Sequence, residues 1–202
     1  MNHSAIKGIH DAFFLPTLLV MILFYAVYFA KMLAQKRRGI QTRQLGKGKA
    51  WGTQRVEIIL SVATFAIVPI QLISIALGWN MAPDGVRMAG TVMGFLGDVI
   101  FLAAVVTMRD SWRAGIPAED KTELISDGIY RYSRNPAFLG FDLMYIGILL
   151  AHFNLVLLAA TILVVVSLHL QILQEEEFLS KAFGEEYMKY KAHTSRYLGR
   201  KG

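Results

Sequence analysis

The apolar run of residues 138–173 constrains this chain more than any other feature of its sequence. Asp142 is its only formally charged residue, so the run is apolar enough to enter a lipid bilayer. It is too long for one helix across a membrane and just long enough for two short ones. Its only plausible turn is His152-Phe153-Asn154, which predicts a tight helical hairpin.

Three further stretches exceed the run of about 18 apolar residues that indicates a membrane span. They cover residues 12–33, 56–79 and 88–108. The composition also indicates a membrane protein, because only 18% of the residues are charged, against about 25% in an ordinary soluble domain. We therefore predict an all-α integral membrane protein with about five transmembrane helices, the last two forming the hairpin. The first span is longer than a typical signal-peptide core and is interpreted as a retained anchor.

Basic residues are concentrated in alternate connecting segments. Residues 34–55 carry seven of them and no acid, residues 109–134 carry five, and the tail from residue 174 carries six. The connecting segments on the opposite side, before the first span, between the second and third spans and within the hairpin, carry only Lys7 and Arg87. This asymmetry predicts an N-terminus outside the cell and a cytoplasmic C-terminal helical region. The net charge of +6 therefore indicates membrane lipid, and no nucleic acid, as the partner.

Polar residues within the spans are few. Asp98 lies in the middle of the third span, where an ionised carboxylate is energetically unfavourable unless it is paired or hydrated. It indicates either a polar cavity or a structural pairing. His169 is interpreted as a hydrogen-bonded helix residue, and with neither cysteine nor paired histidine spacing we predict no metal site. Gly90, Gly94 and Gly97 have the small-residue spacing that permits close helix packing.

The hairpin carries a polar segment at each end. Asn135-Pro136 stops any helix before residue 138, and Glu175, Glu176 and Glu177 follow the last span. Three adjacent glutamates are otherwise typical of a solvated helix surface. Because the ends of a hairpin meet at one membrane edge, we expect Arg134 and Glu175 to be neighbours. A pocket there suits a polar, cationic ligand on one side and a lipophilic ligand on the other.

Several short motifs occur in order around this hairpin. They are Thr122-Glu123-Leu124-Ile125, Gly128-Ile129-Tyr130, Arg134-Asn135-Pro136-Ala137-Phe138, and Glu175-Glu176 with Leu179, Phe183-Gly184, Tyr187 and Tyr190. Over roughly residues 109–196 the chain resembles the isoprenylcysteine carboxyl methyltransferase family, and phospholipid N-methyltransferases share much of the pattern. Ser111-Trp112-Arg113-Ala114-Gly115 is similar to the segment that precedes the motifs in bacterial members.

The resemblance implies S-adenosylmethionine as methyl donor and direct in-line transfer to a lipophilic or small membrane-permeable acceptor, by O-, N- or S-methylation. We expect one membrane domain over residues 1–202, three helices within 12–108, a catalytic region over 109–202, and a bacterial or archaeal plasma membrane. The catalytic residues are expected to be Arg134 and Tyr130, and the acceptor contacts Gln171 and Arg134. The expected cofactor contacts are Thr122, Glu123, Leu124, Ile125, Tyr130, Asn135, Pro136, Ala137, Phe138, Glu175 and Glu176.

The chain departs from the family pattern on the acceptor side. Asn135 and Phe138 stand where the family usually has histidine and tyrosine. Gln171 replaces the arginine with which eukaryotic members hold a carboxylate, which weakens the case for a carboxylate acceptor. The alternative functions are an NADPH-dependent membrane reductase of the sterol-reductase type, which would need further basic residues, and a non-catalytic membrane protein. Replacing Arg134 or Tyr130 is expected to abolish methyl transfer with thermal stability nearly intact.

Overall fold

The described part of the computed structural model, residues 11–42, 51–113 and 123–199, is helical. Its five α-helices are α1 (Phe14–Arg37), α2 (Trp51–Leu77), α3 (Asp84–Met108), α4 (Pro136–Ala151) and α5 (Leu155–His193). A short 3₁₀ turn, Gly128–Arg131, precedes α4. By length and composition, α1, α2, α3 and α5 could each cross a membrane. The predicted all-α fold is therefore confirmed, with four of its five helices long and apolar enough to be membrane spans.

The turn of the hairpin lies where the sequence predicts it. Helix α4 ends at Ala151 and α5 begins at Leu155, where the Asn154 side chain accepts a hydrogen bond from the Leu157 amide at 2.9 Å. Helix α4 has 16 residues and is about 24 Å long. It is shorter than the roughly 30 Å hydrocarbon core, so the fifth predicted span is a short apolar helix.

The packing of the hairpin differs from the prediction. Helices α4 and α5 contact each other little, because α4 lies mainly against α3 and α5 mainly against α2. Glycines explain the first of these pairings. A Cβ atom built on Gly97 would lie 2.8 Å from the carbonyl oxygen of Gly140, and one on Gly147 would lie 2.6 Å from that of Gly90. The two backbones therefore touch directly, as small residues in membrane helices permit.

The loops gather at two ends of the bundle. At the first end, Arg87 forms an ion pair with Asp11, its Nε donates to the Ala151 carbonyl at 2.9 Å, and the Met81 amide donates to the Phe153 carbonyl at 2.9 Å. At the second end, the Gln35 side chain donates to the Trp112 carbonyl at 2.9 Å. Successive helices thus run in alternate directions through the bundle.

A buried ion cluster ties the C-terminal segment to the start of α4. Arg134 Nη2 donates to Glu176 Oε1 at 2.7 Å, and Arg196 donates to both carboxylate oxygens of Glu176 at 3.0 Å. Residues 194–199, here called the strap, also pair through their backbone with residues 132–134, since the Arg134 amide donates to the Ser195 carbonyl at 3.0 Å. We call the three charged residues together the clasp.

Gly184 interrupts α5, where the sequence predicts that a helix stops. It is a single non-helical residue, with φ of 51° and ψ of −123°, at which two helical segments meet in a bend, and the second segment ends at His193. Glycine adopts this left-handed backbone without the steric cost of a Cβ atom. The bend directs the last turns of α5 towards the 3₁₀ turn, where the Tyr190 hydroxyl donates to the Tyr130 carbonyl at 2.7 Å.

The structure shows the hydrogen bonding of two polar residues predicted at membrane depth, Asp98 and His169. Asp98 is buried, and its carboxylate oxygens have no hydrogen-bond partner in the described part of the chain. No described residue therefore supplies the structural pairing that was one of its two interpretations. His169 Nδ1 lies 2.6 Å from the Tyr197 hydroxyl of the strap, and the two rings stack. This confirms His169 as a hydrogen-bonded helix residue.

Replacing Gly147 with alanine is expected to destabilise the bundle. The added methyl group would meet the Gly90 carbonyl and the Gly94 amide, both at 2.6 Å, so α3 and α4 must separate, at a cost of about 1–3 kcal/mol. Thermal denaturation of the detergent-purified protein measures the effect. Gly85→Ala in α3 is the control, because its Cβ atom meets nothing within 4 Å. Equal melting temperatures for the two variants would contradict the proposed backbone contact.

Replacing Glu176 with leucine is expected to be severely destabilising. The change leaves the Arg134 guanidinium, whose side chain is only 4% exposed, buried without its counter-ion, at a cost of about 3–5 kcal/mol. The neighbouring Glu177→Leu is the matched control, because Glu177 is exposed and pairs with Lys181 one turn away. Denaturation midpoints of the two variants are compared, and a Glu176→Leu midpoint equal to that of Glu177→Leu would refute the clasp.

Candidate functional site

A cleft at the second end of the bundle brings most of the predicted site residues together. It encloses about 120 Å³ between the end of α3, the start of α4 and the middle of α5. The predicted residues that line it are Glu123, Leu124, Ile125, Tyr130, Arg134, Asn135, Ala137, Phe138 and Glu175. Because these residues are up to 52 positions apart in sequence, only the folded chain makes them neighbours.

The 3₁₀ turn sets the position of Tyr130 in the cleft. Gly128 starts the turn with φ of 54°, and a Cβ atom on it would lie 2.9 Å from Thr107 Cγ2. Glycine is therefore required both for its backbone conformation and for the contact with α3. The hydrogen bond from Tyr190 then holds the Tyr130 backbone from the side of α5.

Tyr130 is a neutral hydrogen-bonding group in the cleft. Burial raises the pKa of its hydroxyl well above the ordinary value, and the neighbouring Tyr190 and Glu175 act in the same direction. The phenol therefore stays protonated at neutral pH. It has the chemistry of a hydrogen-bond donor that orients a ligand, and not that of a general base.

The start of α4 is held by the clasp. Helix α4 begins at Pro136, so the predicted stop at Asn135-Pro136 is confirmed. The Asn135 side chain donates to the Arg196 carbonyl at 3.2 Å and to Glu176 Oε1 at 3.4 Å. Asn135 therefore presents its remaining surface to the cleft from a fixed position, while Pro136 is buried and does not line the cleft.

Arg134 and the two glutamates are arranged differently from the prediction. Arg134 and Glu175 both line the cleft, but the ion pair of Arg134 is with Glu176. Arg134 Nη1 also donates to the Thr194 carbonyl at 2.5 Å. Glu176 is buried in the clasp and does not line the cleft. These contacts change the expectation for Arg134, because its removal must disturb the fold as well as the cleft.

One other predicted site residue lies away from the cleft surface. Gln171, expected to contact the acceptor, is buried between α2 and α5, and its side chain donates to Glu175 Oε1 at 3.2 Å. Thr122, expected to contact the cofactor, lies outside the described residues.

The cleft also contains residues that the sequence analysis did not assign to the site. They are Met108, Ser111, Trp112, Arg113, Phe178, Leu179 and Tyr190. Phe178 and Leu179 follow Glu175 by three and four positions, which places them on the same helix face, and that spacing could have identified them. Trp112 packs edge-on against Phe101 and Tyr28, so the wall of the cleft is continuous with the aromatic core.

The chemistry of the cleft is amphiphilic. Glu123 and Glu175 contribute carboxylates, and Phe138, Phe178 and Leu179 contribute an apolar wall. Concave sites that combine an apolar lining with a few convergent polar groups are typical of small-molecule binding. The carboxylates favour a ligand with a positive charge beside a planar or apolar part.

Comparison with curated proteins identifies plant relatives. A probable protein-S-isoprenylcysteine O-methyltransferase of Oryza sativa subsp. indica is 36% identical over 114 residues, which are 54% of this chain and 60% of the relative. Protein-S-isoprenylcysteine O-methyltransferase A of Arabidopsis thaliana is 33% identical over 104 residues, 50% of this chain and 53% of the relative. The matched segment thus spans little more than half the length of these relatives.

A family model gives the broader relationship. The model described as phospholipid methyltransferase matches residues 86–186, which is half of the chain and runs from the start of α3 into α5 beyond the bend at Gly184. The match therefore includes most of the cleft and the backbone contact of α3 with α4. This chain belongs to the phospholipid methyltransferase family.

Proposed function

We propose that this chain is an integral membrane methyltransferase that uses S-adenosylmethionine and acts on a lipophilic or small membrane-permeable acceptor. The observation that carries the proposal is the cleft, in which the predicted cofactor-contacting segments 123–125 and 137–138 meet Tyr130 and Glu175. Family membership supports methyl transfer as the reaction. The names of the two plant relatives also refer to methyltransferases.

The residues of the cleft fit S-adenosylmethionine. Glu123 and Glu175 suit its ammonium and hydroxyl groups, and the apolar wall of Phe138, Phe178 and Leu179 suits its adenine ring. Bound S-adenosylmethionine supplies a methyl group activated on a sulfonium. The chain contributes orientation, since an in-line displacement gains most from correct positioning, and its apolar wall excludes water from the reacting atoms.

Tyr130 and Arg134 have different parts in this proposal. Tyr130 faces the cleft with a protonated hydroxyl, so we assign it to the groups that contact the bound ligand. Arg134 is a positioning residue, because its guanidinium is bonded to Glu176 and Thr194 and holds the start of α4. Because its two Nη atoms are held by Glu176 and the Thr194 carbonyl, we assign Arg134 to the fold of the site and not to acceptor binding.

The acceptor is proposed to be lipophilic for two reasons. The cleft lies at one end of a bundle with four apolar helices that could cross a membrane, where a lipid head group and a water-soluble cofactor can both arrive. The names of the family and of the relatives refer to a phospholipid and to an isoprenylcysteine, which both carry long apolar chains.

We further propose that the cleft faces the cytoplasm. Arg37, Arg38 and Arg113 lie at the second end of the bundle, the end that carries the cleft, and Asp11 and Met81 lie at the first end. The positive-inside rule then places the second end in the cytoplasm. This orientation gives the cleft access to cytoplasmic S-adenosylmethionine.

Binding of S-adenosylmethionine is expected to depend on Glu175. Isothermal titration of the detergent-purified protein should show saturable binding, weakened at least tenfold in Glu175→Ala, because a charge-assisted contact contributes about 1.5–3 kcal/mol. Glu177→Ala, on the exposed side of α5, should bind like the wild type. Saturable binding of NADPH with no binding of S-adenosylmethionine would overturn the proposed function in favour of a reductase.

The orientation is tested by labelling single cysteines, which is simple because the natural chain contains no cysteine. Met81→Cys lies in the exposed turn between α2 and α3, and Ser126→Cys lies in the exposed segment before the 3₁₀ turn. In intact cells a membrane-impermeant maleimide should label position 81, and it should label position 126 only after permeabilisation. The reverse pattern would contradict the cytoplasmic cleft.

A further inference from the structure

Glu57 is a buried carboxylate that neither the family match nor the sequence motifs include. It lies on α2, is 0% exposed, and is the only acidic residue between Asp11 and Asp84. Burying a carboxylate is unfavourable unless hydrogen bonds or opposite charges compensate. The contact of Glu57 with α5 therefore indicates what this buried residue can do.

One amide group links Glu57 to the cleft. Gln171 Nε2 donates to Glu57 Oε1 at 3.5 Å and to Glu175 Oε1 at 3.2 Å. The orientation of this amide is determined by its surroundings, because the opposite orientation would place its oxygen against two carboxylates, which only accept hydrogen bonds. Gln171 is 1% exposed, so water does not compete for these bonds. We call Glu57, Gln171 and Glu175 the carboxylate bridge.

The carboxylate bridge connects the packing of α2 against α5 with the cleft. Gln171 and Glu175 lie one turn apart on α5 and share a face, and Glu175 lines the cleft while Gln171 and Glu57 do not. The hydrogen bond from Gln171 is therefore one of the contacts that orient Glu175. The orientation of Gln171 depends in turn on a residue of a helix that contributes no cleft-lining residue.

We propose that Glu57 is a positioning residue of the methyl-donor site, acting through the Gln171 amide on the Glu175 carboxylate. Its effect comes from hydrogen bonding. The Glu57 carboxylate accepts a hydrogen bond from one N–H of the Gln171 Nε2 group, which leaves the other N–H to the Glu175 carboxylate. The site then extends to α2, outside the segment of residues 86–186 that matches the family. The inference rests on the proposed function, since its effect is measured on S-adenosylmethionine.

A double-mutant cycle tests whether Glu57 acts through Gln171. Dissociation constants for S-adenosylmethionine are measured by isothermal titration of the detergent-purified protein. Glu57→Leu removes the acceptor of the Gln171 bond and should weaken binding about fivefold, the effect of one side-chain hydrogen bond. In a Gln171→Leu background the same change should alter the dissociation constant less than twofold, because the link is already absent. Equal effects in both backgrounds would overturn the inference.

A conservative replacement separates hydrogen bonding from charge. Glu57→Gln keeps an oxygen that accepts from Gln171 Nε2, so its dissociation constant should stay within twofold of the wild-type value. If Glu57→Gln loses as much affinity as Glu57→Leu, the charge matters and the positioning role is wrong. Glu185→Leu, an exposed glutamate on the last part of α5, is the control for loss of an acid and should bind like the wild type.

The outcomes also distinguish this inference from the proposed function. Wild-type protein that does not bind S-adenosylmethionine overturns the proposed function itself, and the inference with it. Wild-type protein that binds, together with a Glu57→Leu variant of unchanged affinity, overturns only the inference. Melting temperatures identify variants that misfold. Should Glu57→Leu misfold, Glu57→Ala takes its place in the cycle, with the same expected fivefold loss and the same non-additivity.

Discussion

The buried Glu176 carboxylate is the interaction on which the arrangement of the cleft depends. It holds Arg134 from the start of α4 and Arg196 from the strap, and it also accepts a hydrogen bond from Asn135. A buried carboxylate is unfavourable unless charged partners surround it, so the sequence around Pro136 and the C-terminal strap must come together for α5 to pack. The cleft thus lies beside a cluster in which the loss of one charged partner leaves another charge buried without compensation.

The direct contact of α3 with α4 provides the rigid base below this cluster. Because Gly97 meets Gly140 backbone to backbone, the aromatic rings beside them on α3 and α4 are brought close, and the ring centroids of Phe101 and Phe141 lie 5.1 Å apart. Trp112 packs on this group and forms part of the cleft wall. The cleft is therefore supported by close packing within the apolar part of the bundle, and its polar residues lie above that support.

Much of the lining of the candidate site could be predicted, because its residues occur as short ordered motifs. Tyr130, Asn135, Phe138 and Glu175 all line the cleft as the motifs suggested. The different surroundings of the adjacent Glu175 and Glu176 could not be predicted, because their side chains differ only by the 100° rotation of one helical position. That rotation directs one carboxylate into the cleft and the other into the clasp. Glu57 carried a signal, an isolated acid in an apolar helix, but no motif connected it to the hairpin.

The sequence by itself determined that this chain forms apolar helices, where the 152–154 turn falls and which segments carry the chemistry, because hydropathy, helix-breaking residues and motifs are local properties. Only the tertiary structure decided which surfaces meet. Helix α4 packs on α3 instead of α5, since glycines let two backbones approach where larger side chains would keep them apart. Likewise, Arg134 pairs with Glu176 instead of Glu175, because the direction of a side chain in space follows from the packing of the whole bundle and not from its position along the chain.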